Sequence, residues 1–312
     1  MYNIAIDLGG TITKIGVICE HRIVAYEEVE SHSGKGLAPL LSVIRTTVDR
    51  IVARCGLSPC DVAGAGLAFP GIADHTINRV VATNAKFDDA CDLDLERWCR
   101  ETWGCKFVLD NDSRLATIGE WQYGAGRGAD NLVMMTIGTG IGTGVIIKGA
   151  PLYGANSMAG SLGGHFVVDY RGRGCTCGNR GCVESMSSSF FLPQIIREHP
   201  HLSDRFKQEM ANCDFKALFT RAASSDPDAR LLCNECMDIW AAAIITYIHA
   251  YDPQRVILSG GIMNSRETIL PYLQHIVNKH AWCPVQQVEI VSSQLNDQAA
   301  LMGIDYCLCH PN

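Results

Sequence analysis

The sequence predicts an α/β fold made of two similar units, and three observations point to it. Each half opens with an apolar strand, a glycine turn and a returning strand, at Asp7-Leu-Gly-Gly-Thr11 and at Thr136-Ile-Gly-Thr-Gly140. Strand patterns alternate with helical periodicity along the chain. A third glycine turn, Leu258-Ser-Gly-Gly261, again follows an apolar strand. At 312 residues the chain is long enough for two domains of ordinary size.

The elements follow in order. Ile4–Asp7 reads as a strand, Gly9-Gly10-Thr11 as a turn, and Lys14–Ile18 and Arg22–Glu30 as the next strands of a meander. Leu40, Leu41, Ile44, Val48, Ile51 and Val52 recur at helical spacing, and Gly56 ends that helix. Val62–Ala68 is a strand before the turn Phe69-Pro70-Gly71. Phe107–Asp110 is another strand, entering Asn111-Asp112 and a helix over Ser113–Tyr123. The second half restarts with a strand over Leu132–Ile137, a turn over Gly138–Gly142 and a strand over Thr143–Ile147. An irregular stretch, Gly149–Gly181, is dense in glycine and cysteine. Helical patterns run from Met186 to Ala250, strands lie at Arg255–Leu258 and Val288–Val291, and a helix closes the chain from Asp297. This order divides the chain into a unit over 1–118 and a second over 119–296. The closing helix, about 297–312, is expected to pack back on the first unit.

Bulk properties narrow the function. The hydrophobic share is 47% and the charged share 19%, ordinary for a globular enzyme. A net charge of −7 repels nucleic acid unless a local basic patch intervenes. The N-terminus lacks the basic and apolar regions of a signal peptide. The apolar run around Ile239–Ile248 is too short and interrupted for a span, so it reads as a buried helix in a cytoplasmic protein. Fifteen cysteines then point to buried thiols or a metal site in place of disulfides.

The glycine turns carry the first chemistry. Backbone N–H groups converge on an anion only where side chains do not block its approach. Gly9, Gly10, Gly138, Gly140, Gly260 and Gly261 supply that backbone. Thr11, Thr136 and Thr139 offer hydroxyls to phosphate oxygens, Asp7 could hold Mg²⁺ through water, and Lys14 could add charge or sit on the hairpin surface. Either turn alone is also what an ordinary hairpin looks like. The sequence lacks a GxxxxGK motif and a kinase-type HRD loop, and GTGIGTG runs into the strand-like Val145-Ile-Ile147, so a dinucleotide fingerprint fits poorly.

The second chemistry is metal binding. His165, Cys175, Cys177 and Cys182 form H-x9-C-x-C-x4-C within a glycine-rich segment. Three thiolates and one imidazole make a closed tetrahedral zinc site, structural because no position is left for water. The pair Cys233 and Cys236 sits in a helical pattern and reads as buried thiols.

In order along the chain, Asp7–Thr11, Phe69-Pro-Gly71, Asn111-Asp112, GTGIGTG and GGH…CTCGNRGCVES resemble the ROK family of sugar kinases and repressors, within the actin/hexokinase-like ATPases. The resemblance implies two actin-like (ribonuclease H-like) α/β domains, an ATP and sugar cleft between them, and a structural zinc loop. It implies Asp112 as the general base on a hexose hydroxyl, the 6-hydroxyl by family analogy. Read from the residues alone, Asp112 is more readily a helix N-cap, a role it could combine with that of a base. Sugar contacts are implied at Gly71, Asn84, Asn111, Asp112, His165 and Glu184, with adenosine near Gly260-Gly261. ATP, Mg²⁺ and zinc are the implied cofactors and a homodimer the implied assembly, with no nucleic-acid or membrane partner. In one place the pattern departs: Ser161 stands where many members have a sugar-binding Glu, with an extra glycine before His165. A sugar other than glucose is therefore expected. Repressors of the family carry a helix-turn-helix ahead of the first phosphate loop, for which the six residues before Asp7 leave no room. A catalytically silent sugar-sensing regulator is the alternative, and turnover separates the two.

Overall fold

The computed structural model describes residues 1–310, so the last two residues of the expected closing helix lie outside the described residues. The chain divides into two units. The first comprises Met1–Arg127, Pro151–Ala159 and the C-terminal segment from Asp297; the second comprises Gly128–Ala150 and Gly160–Asn296.

The first unit opens with β1 (Tyr2–Leu8), β2 (Ile12–Cys19) and β3 (Arg22–Glu30), an antiparallel meander. Helix α1 (Ala38–Arg54) buries Leu40, Leu41, Ile44, Val48, Ile51 and Val52, and Gly56 follows its end with φ +65°. Strand β4 (Val62–Phe69) pairs parallel to β1. A small hairpin, β5 (Ile72–Asp74) with β6 (Arg79–Ala82), and helix α2 (Leu95–Trp103) come next. Neither is evident from periodicity. Helix α2 is capped by the Asp94 side chain and ends at Gly104, φ +64°. Strand β7 (Lys106–Asn111) and helix α3 (Asp112–Tyr123) complete the run.

The sheet order is β3-β2-β1-β4-β7, with β1, β4 and β7 parallel. Asp7, Ala68 and Asp110 stand side by side in register. The carboxyl ends of three parallel strands thus lie together, where open α/β sheets take ligands. Beneath the sheet, Ile4, Ile6, Leu8, Ile44, Leu67 and Phe69 form a core closed to water.

In the second unit β8 (Leu132–Ile137) and β9 (Ile141–Ile147) form the hairpin, extended by β10 (Ala150–Pro151). The turn is tighter than expected: β9 begins at Ile141, because Ile137 and Ile141 pair directly. From Val183 the helical region is five helices, α4 (Val183–Ser187), α5 (Leu192–Glu198), α6 (Asp204–Glu209), α7 (Phe215–Ala223) and α8 (Pro227–Tyr251). Strand β11 (Arg255–Ser259), helix α9 (Arg266–His280) and strand β12 (Glu289–Ser292) follow. The sheet order β10-β9-β8-β11-β12 repeats that of the first unit strand for strand. The same topology in both units is the duplication that the paired hairpins suggest.

Helix α8 is long and apolar enough to cross a membrane by length and composition, yet 56% of its most apolar window is buried within the protein. Trp240, Ile244 and Tyr247 are fully enclosed. Trp240 Nε1–H donates to the Ser187 carbonyl at 3.2 Å and Tyr247 O–H to the Gly163 carbonyl at 3.0 Å. The helix therefore anchors the segments that carry the cysteine cluster.

The closing helix α10 (Ala299–Cys309) belongs to the first unit and packs on α3. Gly119 and Gly303 permit this, since a Cβ on either would fall within 2.0 Å of the facing backbone. The unit boundary falls after Arg127, later than residue 118, because α3 runs unbroken to Tyr123 and is buried against α10. Pro151–Ala159 also joins the first unit, where the Arg114 guanidinium donates to the carbonyls of Ser157 at 2.8 Å and Ala159 at 3.0 Å.

Candidate active site and cysteine cluster

In the first unit, β7 runs straight into α3, and the junction fixes three consecutive polar residues. Asp110 is buried and pairs with the fully enclosed Arg114, one helical turn later, at 2.5 Å. Asn111 is the N-cap, its side-chain oxygen accepting the Arg114 N–H at 3.0 Å. The cap that sequence alone could assign to Asp112 thus belongs to its neighbour, and Asp112 is the first helical residue. Asn111 Nδ2–H also donates to the Gly71 carbonyl at 3.0 Å, joining two of the expected sugar contacts. Asn84 is exposed on the following loop.

Asp112 is held asymmetrically. Its Oδ1 accepts from Ser113 N–H at 2.7 Å, Asn111 Nδ2–H at 3.0 Å and Ser113 O–H at 3.3 Å. Among the described residues Oδ2 has no such partner. Burial raises the carboxyl pKa, opposed by the Ser113 backbone N–H and by the ammonium of Lys86. A carboxylate with one oxygen fixed and the other open, at elevated basicity, suits a general base.

Asp7 lies close enough to Asp112 for the two charges to interact. Burial first, then the Asp112 charge, push its pKa up to about 7, against the pull of Lys14. Lys14 Nζ is 4.0 Å from Asp7 and 2.9 Å from Asp297, so it is paired on the hairpin surface. Two neighbouring carboxylates fit a hard divalent ion such as Mg²⁺, which would favour their ionised forms. The turn at Gly9-Gly10 is closed by the Gly9 N–H donating to the Ile12 carbonyl at 3.0 Å, and Thr11 is exposed.

In the second unit, the hairpin turn at Gly138–Gly140 carries Thr139 exposed, and the buried Thr136 hydroxyl has no hydrogen-bond partner among the described residues. Ser188 Oγ, also enclosed, has none among the described residues either. The segment after it covers the turn, with Ser189 N–H on the Gly138 carbonyl at 3.1 Å and Phe190 N–H on the Thr139 carbonyl at 3.0 Å. Ser259 pairs with Thr136 across β11 and β8. Gly260, at φ +99°, lies against the end of β8, where a Cβ would stand 2.2 Å from the Ile137 carbonyl oxygen. The glycine turns at Gly138 and Gly260 are therefore adjacent.

Glu184 reaches the same hairpin. Its Oε2 accepts the Ile141 N–H at 2.8 Å and fills the space beside Gly140, where a Cβ would lie 2.4 Å away. The expected sugar contact is thus also a brace for the phosphate turn. Ser161 is buried nearby in sequence, in the turn before the single 3₁₀ turn Gly163–His165.

The cysteine cluster assembles as the spacing predicts. His165 Nδ1 lies 3.6 Å from Cys175 Sγ, and Cys177 Sγ 3.7 Å from Cys182 Sγ. All four donor atoms fall within 4.8 Å of one another. A tetrahedron with metal–sulfur bonds of about 2.3 Å and metal–nitrogen bonds of about 2.0 Å separates two sulfurs by about 3.8 Å and sulfur from nitrogen by about 3.5 Å. The donor set fits a zinc ion. Cys175 N–H on the Asn179 carbonyl and Gly181 N–H on the Arg173 carbonyl hold the knuckle. Burial, then the neighbouring thiols, raise the pKa of Cys182 to about 12, a cost that a bound cation reverses. Cys233 and Cys236 are buried on α8, apart from this cluster.

The family model described as ROK family matches residues 3–309. The chain belongs to the ROK family. It is 31% identical over 309 residues to the glucokinase of Thermotoga maritima, covering 96% of this chain and 95% of that protein. It is 24% identical to the xylose repressor of Bacillus subtilis, over 97% of this chain and 76% of the repressor. Among solved structures it resembles a ROK family glucokinase from Streptomyces griseus in complex with glucose and AMPPNP, at a TM-score of 0.79 and 24% identity, over 98% of this chain and 99% of that one. The ROK fold is thus the fold of both units. Sequence reasoning missed Arg114, Ser188 and Lys86. Arg114 alone carries a signal, a charged residue four after Asp110.

Proposed function

We propose that this ROK protein is an ATP-dependent sugar kinase that phosphorylates a hydroxyl, the 6-hydroxyl, of a hexose or hexose derivative. The observation that carries the reading is Asp112: a half-buried carboxylate at the carboxyl end of the first unit's sheet, with Oδ1 held by three donors and Oδ2 left to take a proton. The glucokinase relatives support it.

Asp112 accepts the hydroxyl proton at Oδ2 as the sugar oxygen attacks the γ-phosphorus, and it orients that oxygen for in-line transfer. Asn111 and Gly71 stand beside it to take sugar hydroxyls. The Gly9 and Gly138 N–H groups are used within their own turns, on the carbonyls of Ile12 and Gly140, so Gly10, Thr11, Thr139 and Gly140 would present backbone N–H groups and threonine hydroxyls to phosphate, and Gly260-Gly261 would border the adenosine. Asp7 would hold Mg²⁺, which neutralises charge on the phosphate oxygens. The Cys₃His cluster would hold zinc, in a structural role, with the imidazole nitrogen opposite the metal able to meet the sugar. Ser161 in place of a carboxylate supports a sugar other than glucose.

A catalytically silent regulator is the second reading, favoured by the xylose repressors among the relatives. ATP consumption over a panel of hexoses and derivatives separates them. The kinase reading expects one sugar to be turned over, and Asp112→Asn to abolish turnover while sugar binding persists. Near-normal turnover by that variant would defeat the assignment.

A further inference from the structure

The loop 83–89 of the first unit holds a cation that no motif announces. Lys86 is half-buried, and its aliphatic chain lies over the glycine turn of the first hairpin. A Cβ placed on Gly10 would stand 3.0 Å from Lys86 Cε, 3.3 Å from Cδ and 3.6 Å from Nζ. Among the described residues Lys86 makes no hydrogen bond and no ion pair, unlike Lys14, which is engaged by Asp297. A half-buried ammonium that makes neither a hydrogen bond nor an ion pair among the described residues is a site prepared for an anion.

The loop holds it in place. Ala85 and Phe87, on either side, both adopt left-handed backbone, φ +54° and +55°, a conformation that costs non-glycine residues energy. Phe87 is fully enclosed and packs against Phe69 with ring centroids 6.2 Å apart. Its N–H donates to the Ser33 carbonyl at 3.0 Å. Two strained residues with a buried aromatic anchor fix where Lys86 points. The ammonium also acts on Asp112, whose carboxylate it stabilises. It therefore lies over the turn read as phosphate-binding and near enough to the carboxylate read as the base for their charges to interact.

Given the kinase reading above, we propose that Lys86 is a catalytic residue that binds the γ-phosphoryl group of ATP and stabilises the negative charge on its oxygens during transfer. The sugar oxygen–phosphorus bond forms as the bond from the γ-phosphorus to the β,γ-bridging oxygen breaks. ADP leaves with that electron pair, the hydroxyl proton passes to Asp112, and Lys86 keeps its protons throughout. A preorganised cation where the charge is redistributed acts mainly on kcat.

The test compares wild type with Lys86→Met and Lys86→Arg in two ways. Steady-state kinetics with the preferred hexose should show kcat for Lys86→Met down about 100-fold or more. The sugar KM should move less than about threefold, and Lys86→Arg should recover part of the rate. Calorimetry without sugar should show Lys86→Met binding Mg·AMPPNP about tenfold more weakly, while Mg·ADP affinity holds within about twofold. Unchanged kcat and AMPPNP affinity overturn the assignment and leave the kinase reading standing. So does equal loss of both nucleotides, or a change confined to the sugar KM, which would place the ammonium on an acidic acceptor. If wild type consumes ATP with no hexose, the kinase reading falls, and the difference between AMPPNP and ADP still decides Lys86.

Discussion

Glu184 and Ile141 are joined by a hydrogen bond of 2.8 Å, from the Ile141 backbone N–H to the carboxylate Oε2. The donor is the first residue of β9 and the acceptor sits two residues after Cys182, so the bond ties the cysteine cluster to the phosphate turn. Both groups are buried. Glu184→Ala leaves the Ile141 N–H without a partner, at a cost of about 1.5–3 kcal/mol. The expected outcome is a lower melting temperature and a raised KM for ATP, with Glu184→Gln recovering much of the stability. An Ala variant with wild-type melting and ATP kinetics would show that the brace is dispensable.

Zinc content tests the cluster. One zinc per chain is expected by metal analysis, and Cys177→Ser should remove it and lower the melting temperature. A strong chelator should do the same to wild type. Because α8 ties Gly163 and Ser187 to the core, the loss should be confined to the second unit, readable by hydrogen exchange. Unaltered metal content and melting in Cys177→Ser would remove the metal from the picture.

The Asp110–Arg114 pair is enclosed and joins β7 to the first turn of α3. Arg114 also holds the carbonyls of Ser157 and Ala159, and its guanidinium lies 4.8 Å from the Tyr153 ring centre. Arg114→Met strands a buried carboxylate, with an expected loss of about 3–5 kcal/mol in denaturant unfolding. Proteolysis should then open the 151–159 segment first. A loss below about 1 kcal/mol would mean that the pair contributes little, as exposed pairs do.

Asp7 should make the metal-free protein's stability depend on pH. Its carboxyl titrates at about 7 in the folded chain, against 3.8 as its ordinary value. A raised carboxyl pKa means that the folded state holds the proton more tightly than the unfolded one. The stability it contributes is therefore full below 3.8 and is lost as pH rises through about 7. Melting temperatures in chelator should fall as pH rises from about 4 to about 7 and level off above that, and Asp7→Asn should flatten that slope. The same slope in both proteins would assign the dependence to other groups.

Much of the site was legible because its chemistry rests on local sequence. Glycine turns after apolar strands, the H-x9-C-x-C-x4-C spacing and the Asn-Asp pair at a strand end each need only a few neighbouring residues. The hairpin β5–β6 and helix α2 were not legible, since their runs are too short for periodicity to stand out. Neither was the N-cap, because Asn111 and Asp112 are both good caps and only the path of the backbone selects between them.

The sequence by itself determined the α/β alternation, the two matching hairpins, the four metal-type ligands and the family, all carried by residue type at fixed spacing. Only the tertiary structure decided which cation is spoken for and which is not. Lys14 finds Asp297, distant along the chain, while Lys86 is aimed over Gly10 by the left-handed backbone on either side of it. It also decided that Glu184 braces Ile141 and that Arg114 holds Pro151–Ala159 to the first unit. These depend on packing between segments far apart in the chain, and no local pattern encodes such distances.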